Sequence, residues 1–163
     1  MKKVFILLSI LFAFSTTQKA FAHCEVPCGI YHDELRIAML YEHFITIEKA
    51  MNQIEELSGQ PDVNYNQLVP WITTKEDHAN KIQHEVTQYF ITQRIKLPET
   101  TEGPEFEKYK KELALLHQLI VYAMKTKQTT DTGYVEKLRT SLKAFEESYF
   151  EGEHRHKIEM DDH

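Results

Sequence analysis

The chain has 163 residues, with 19 Lys and Arg against 25 Asp and Glu and a formal charge of −6. Residues 1–22 hold three of those basic side chains and no acidic one, so the remaining 141 residues set 16 basic groups against 25 acidic ones, a charge of −9. That balance excludes nucleic acid as a partner, because its phosphates would be repelled, and 141 residues make one domain around one hydrophobic core.

The first element is a leader. Lys2 and Lys3, an apolar run over residues 4–14, a polar stretch over 15–19 and Ala20-Phe21-Ala22 give the pattern of a secretory signal peptide, too short to cross a bilayer as a mature helix. The expectation is cleavage after Ala22 by signal peptidase, with His23 as the new first residue. The mature chain is then exported, to a periplasm or to the exterior, with no stable insertion in the membrane. A lipoprotein signal would need a small residue before Cys24, where His23 stands.

The mature chain opens with HCEVPCGIY, residues 23–31, which holds both cysteines of the protein. In an oxidising compartment two cysteines suggest a disulfide, but here it would close a loop of a few residues and stabilise the fold little. A metal gives the pair another purpose. The freed amine and imidazole of His23, the backbone nitrogen and thiolate of Cys24 and the thiolate of Cys28 lie within one turn of chain. An amine, a deprotonated amide and two thiolates suit a flat four-coordinate site for nickel(II) or copper(II), whereas zinc favours a tetrahedron. The imidazole is left as an axial ligand. Thiolate and amidate donors bring a higher oxidation state of nickel within reach, so such a site can cycle by one electron. Pro27 and Gly29 let the chain fold back, and Tyr31 follows closely enough to stand over the open face.

Four amphipathic segments come next. Asp33 is placed to cap a helix whose stripe runs through Leu35, Met39, Phe44, Ile47, Met51, Ile54 and Leu57, ended by Ser58-Gly59-Gln60-Pro61. A second covers roughly residues 67–96 with Leu68, Trp71, Ile72, Ile82, Val86, Phe90 and Ile95, and Pro70 near its start is a first-turn proline or a kink. Pro104 opens a third, with Leu113, Leu116, Leu119 or Ile120, and Ala123 on one face. After a turn cluster over 129–133, a fourth runs over about 134–150 with Val135, Leu138, Leu142, Phe145 and Tyr149. The charged end, residues 151–163, lacks a stripe and is expected to be a disordered tail. No strand alternation occurs, so the expected fold is all-α: an antiparallel four-helix bundle over residues 23–150 with an N-terminal metal-binding hook at 23–31.

His23-Cys24-x-x-Pro27-Cys28-Gly29-x-Tyr31 resembles the nickel hook of nickel-containing superoxide dismutase. The likeness continues through IEKAM (47–51), TTKEDHANKIQ (73–83), QYFITQRIK (88–96), FEKY (106–109) and LHQL (116–119). The resemblance implies a four-helix bundle assembled as a homohexamer, one nickel ion per chain cycling between Ni2+ and Ni3+, and disproportionation of superoxide to dioxygen and hydrogen peroxide. It implies that His23, Cys24 and Cys28 bind the metal and that Tyr31 gates the substrate pocket. Some members hold the axial imidazole with a glutamate on helix one and an arginine on helix two. Met39 and His78 stand at those positions here, and the expectation is that His78 or Glu42 supports the His23 imidazole instead.

Other residues carry plainer expectations. His43, His84 and His117 fall within helices as surface or hydrogen-bonded core residues, His154, His156 and His163 as solvated tail, and Met39, Met51, Tyr89 and Phe90 as packing or subunit contact. Arg94 and Lys96 are candidates for steering an anion toward an acidic protein. Two rival readings stay open: an exported nickel or copper carrier without turnover, and a disulfide-bonded helical interaction module.

Overall fold

The computed structural model describes residues 31–150. The leader, the hook up to residue 30 and the tail, with the expectations placed on them, lie outside the described residues.

Helix α1, Asp33–Ser58, buries Ile37, Leu40, Phe44, Ile47, Met51, Ile54 and Leu57, a run of three- and four-residue steps that keeps one face inward. Leu35, expected on that stripe, is 51% exposed, because two residues before Ile37 lies about 200° around the helix. Met39, one step before Leu40, is half-buried. The cap is also one residue earlier than expected: the His32 Nδ1 accepts the Leu35 N–H at 3.3 Å, and Asp33 is free for another use.

Helix α2, Tyr65–His84, begins two residues earlier than expected and carries Pro70 in its second turn. Ile72 is exposed, and Trp71 packs on a small satellite core of Ile54, Leu57 and Leu68. The chain then runs directly into a π-helical stretch, Glu85–Arg94, where a continuous α-helix was expected. Helix α3, Pro104–Gln128, opens on its proline as expected. Gly103 ahead of it holds φ 94°, a backbone state that favours glycine. Glu105 and Glu107 at its start and Lys125 and Lys127 at its end complement the helix dipole. Leu119, rather than Ile120, is the fully buried member of its pair. Helix α4, Gly133–Tyr149, buries Val135, Leu138, Leu142 and Phe145 as expected.

Helix α1 packs on α2, α2 on α3, α3 on α4, and α4 closes back on α1, making the antiparallel four-helix bundle. One apolar cluster fills it, with Phe44, Phe90, Phe145, Ile47, Met51, Ile82, Leu116, Leu119, Leu138 and Leu142 fully buried, each large side chain stabilising by roughly 1.5–3 kcal/mol. No helix among the described residues is long and apolar enough to cross a membrane.

Candidate active site

Tyr31, the first described residue, lies beside the π-helical stretch. An α-helix would aim residues 89 and 94 about 140° apart. With i→i+5 bonding, seen in the Ile95 N–H donated to the Phe90 carbonyl at 2.9 Å, residues five apart share a face. Tyr89 and Arg94 therefore both turn toward the start of α1, a use of π geometry typical of functional sites.

What they meet there is Asp33. The Tyr89 hydroxyl donates to Asp33 Oδ1 at 2.5 Å and the Tyr149 hydroxyl, from α4, to Oδ2 at 2.8 Å. Arg94 donates Nε to Oδ1 at 2.9 Å and Nη2 to Oδ2 at 2.5 Å, the fork geometry in which guanidinium and carboxylate pair best. Burial alone would raise the Asp33 pKa, but the bonds from Arg94, Tyr89 and Tyr149 outweigh it and hold the carboxyl below its usual range. Burial and donation to Asp33 together push the Tyr89 hydroxyl up to about 12. The Tyr89 oxygen also accepts the His32 N–H at 3.0 Å, so the backbone next to Tyr31 is tied to the same cluster.

Tyr31 rests on this cluster. The Arg94 guanidinium carbon lies 4.2 Å from its ring centroid, within cation–π range, and the Tyr89 ring meets it edge to face at 6.0 Å. Behind Tyr89, Arg36 lies 4.7 Å from the ring and pairs with Glu85 at 3.1 Å. Below, Phe90, Phe145 and Tyr149 form an aromatic layer with centroids 5.2 to 6.0 Å apart.

A second polar group lies on the α1–α2 seam. His43 and His78 meet edge to face with ring centroids 4.9 Å apart, and the Nδ1 of each is buried with no hydrogen-bond partner among the described residues. Burial, with the neighbouring His78 and Lys81, lowers the His43 pKa to about 4; burial and Lys81 lower that of His78. Beside them a cavity of about 410 Å³ is lined by Met39, His43, Asn80, Lys81, His84 and Glu85.

Of the residues expected at the site, His23, Cys24 and Cys28 lie outside the described residues, and Tyr31 lies on the bundle wall. Among the described residues no three His, Cys, Asp or Glu side chains are grouped to hold a metal. Arg94, expected as an anion-steering cation, is instead neutralised by Asp33; Lys96 is exposed. The sequence reading missed the roles of Asp33, Tyr89 and Tyr149. One signal was available: Val86, Phe90 and Ile95 step by four and then five, a spacing no regular α-helix sustains.

One protein-family profile, described as nickel-containing superoxide dismutase, matches residues 18–153, a span that takes in the hook and all four helices. No curated protein and no solved structure gives a significant match. The matched span covers most of the chain, and the fold beneath it is the helical bundle that the resemblance implies. The chain belongs to the nickel-containing superoxide dismutases: it is an oxidoreductase that uses nickel and acts on superoxide.

Proposed function

We propose that the nickel is held by the trimmed N-terminus: the amine and imidazole of His23, the amide nitrogen and thiolate of Cys24, and the thiolate of Cys28. The observation that carries this reading is that the only two thiols of the chain fall in HCEVPC, inside the span matched by the family profile. The donor set fits the metal, since thiolates and deprotonated nitrogen favour four-coordinate nickel over harder ions. Bound there, nickel supplies one-electron redox chemistry, by which two superoxide anions and two protons become dioxygen and hydrogen peroxide.

The protein's own residues do the rest. Removal of residues 1–22 by signal peptidase frees the His23 nitrogen, which an acyl group would make a poor donor. Tyr31, held on the bundle wall by Arg94 and Tyr89, stands at the mouth of the hook and admits small ligands. His78 supports the His23 imidazole, taking the role that Met39 has too weak an acceptor to fill; its buried Nδ1 without a partner among the described residues favours this. Glu42, the other candidate, is exposed.

The mature enzyme works outside the cytoplasm, in a periplasm or beyond it, as a homohexamer. Supporting assembly, Tyr65, Val69 and Ile72 leave an apolar stripe exposed on one face of α2. N-terminal sequencing, metal analysis and a superoxide assay on protein purified from its own host test the reading together. A chain starting at His23, with one nickel per chain and dismutation activity, is expected; metal bound without turnover would instead favour a carrier.

A further inference from the structure

We propose that Asp33 is a positioning residue for Tyr31, its carboxylate locking the Arg94 guanidinium and the Tyr89 ring into the two surfaces against which the Tyr31 ring rests. The inference deepens the reading of Tyr31 as the gate and rests on it.

A carboxylate offers about four lone-pair sites. Those of Asp33 accept from groups on two other elements, Arg94 and Tyr89 from the π-helical stretch and Tyr149 from α4. The Asp33 and Arg94 side chains are only 14% and 23% exposed. Without the Asp33 charge, a partly buried guanidinium would turn toward water, since an uncompensated buried charge is costly. The Arg94 face would then leave Tyr31. The Tyr89 ring would be loosened at the same time, because its hydroxyl donates to the same carboxylate. The Tyr149 hydroxyl ties α1 to α4 through the same carboxylate and also interacts with Arg94, so it belongs to the cluster behind Tyr31.

The test uses the nickel-loaded mature protein labelled with 3-fluorotyrosine, the Tyr31 fluorine resonance being assigned by its loss in Tyr31→Phe. In Asp33→Asn that resonance is expected to shift toward its solvent-exposed value, while Tyr41→Phe, which removes the α1–α4 bond to Glu146 outside the cluster, leaves it in place. Kinetically, Asp33→Asn is expected to lower kcat/KM by between about 3- and 30-fold, the scale of a small misplacement near a reacting centre. In a Tyr31→Phe background the same substitution should add less than about 2-fold, the non-additivity of residues acting as one unit. If Asp33→Asn fails to fold, Arg94→Lys, which keeps the charge and loses the fork, is expected to move the same resonance. An unmoved resonance in whichever of Asp33→Asn and Arg94→Lys folds, or fully additive kinetic effects, overturns the proposal. If Tyr31→Phe itself leaves the rate untouched, the gate reading fails, and the fluorine resonance alone decides whether Asp33 positions the ring.

Discussion

His43 and His78 face each other across the α1–α2 seam at 4.9 Å, each with a buried ring nitrogen. Two imidazoles at that distance cannot both charge without repulsion, and Lys81 adds a third cation, opposed by Glu42 and, at His78, by Asp77.

The pair makes the fold sensitive to mild acid. His43 has a folded-state pKa of about 4 against 6.5 when unfolded, so between those values the unfolded chain binds more protons, and stability falls as pH falls. The loss is complete near pH 4 and on the order of 1–2 kcal/mol for His43, discounted for its partial exposure. Urea unfolding at pH 7 and pH 5 measures it. His43→Gln is expected to flatten the slope between them; an unchanged slope would remove the pair as its source.

Lys75 ties α2 to the end of α3. Only 5% exposed, its ammonium donates to the carbonyls of Lys127 at 3.0 Å and Thr129 at 3.2 Å, where the helix leaves acceptors without partners. Lys75→Met keeps the volume and strands both carbonyls, so a loss of about 2–4 kcal/mol is expected in chemical denaturation. A loss below about 0.5 kcal/mol would mean that water replaces the ammonium without penalty.

His78→Ala tests the support given to the His23 imidazole. Losing such a partner typically costs about 10- to 100-fold in activity or metal affinity. A fall in dismutation rate together with an altered paramagnetic signal of the oxidised metal is expected. If both are unchanged, His78 has no such role and its pairing with His43 is a matter of packing.

The bundle was legible because its signals are local and redundant: the stripes of α3 and α4 repeat over several turns, and Pro104 marks a start. The candidate hook could be proposed from sequence because HCEVPCGIY is contiguous, though it lies outside the described residues. The Asp33 cluster was not legible, since its partners lie 56 to 116 residues from Asp33 and meet it only because a π-helical stretch rotates Arg94 onto the face of Tyr89. Asp33 also reads as an ordinary helix cap, and His32 does that work instead. Leu35 was misread because an apolar residue at a helix start carries no mark of which side it takes.

The proposed nickel site depends most directly on the freed nitrogen of His23. Two nickel-reconstituted proteins decide it, one beginning at His23 and one carrying a single added alanine ahead of it, compared by nickel content and superoxide dismutation rate. Blocking a direct donor is expected to cost on the order of 100-fold or more in rate, with weakened metal binding. Equal rates and equal nickel content would contradict the account.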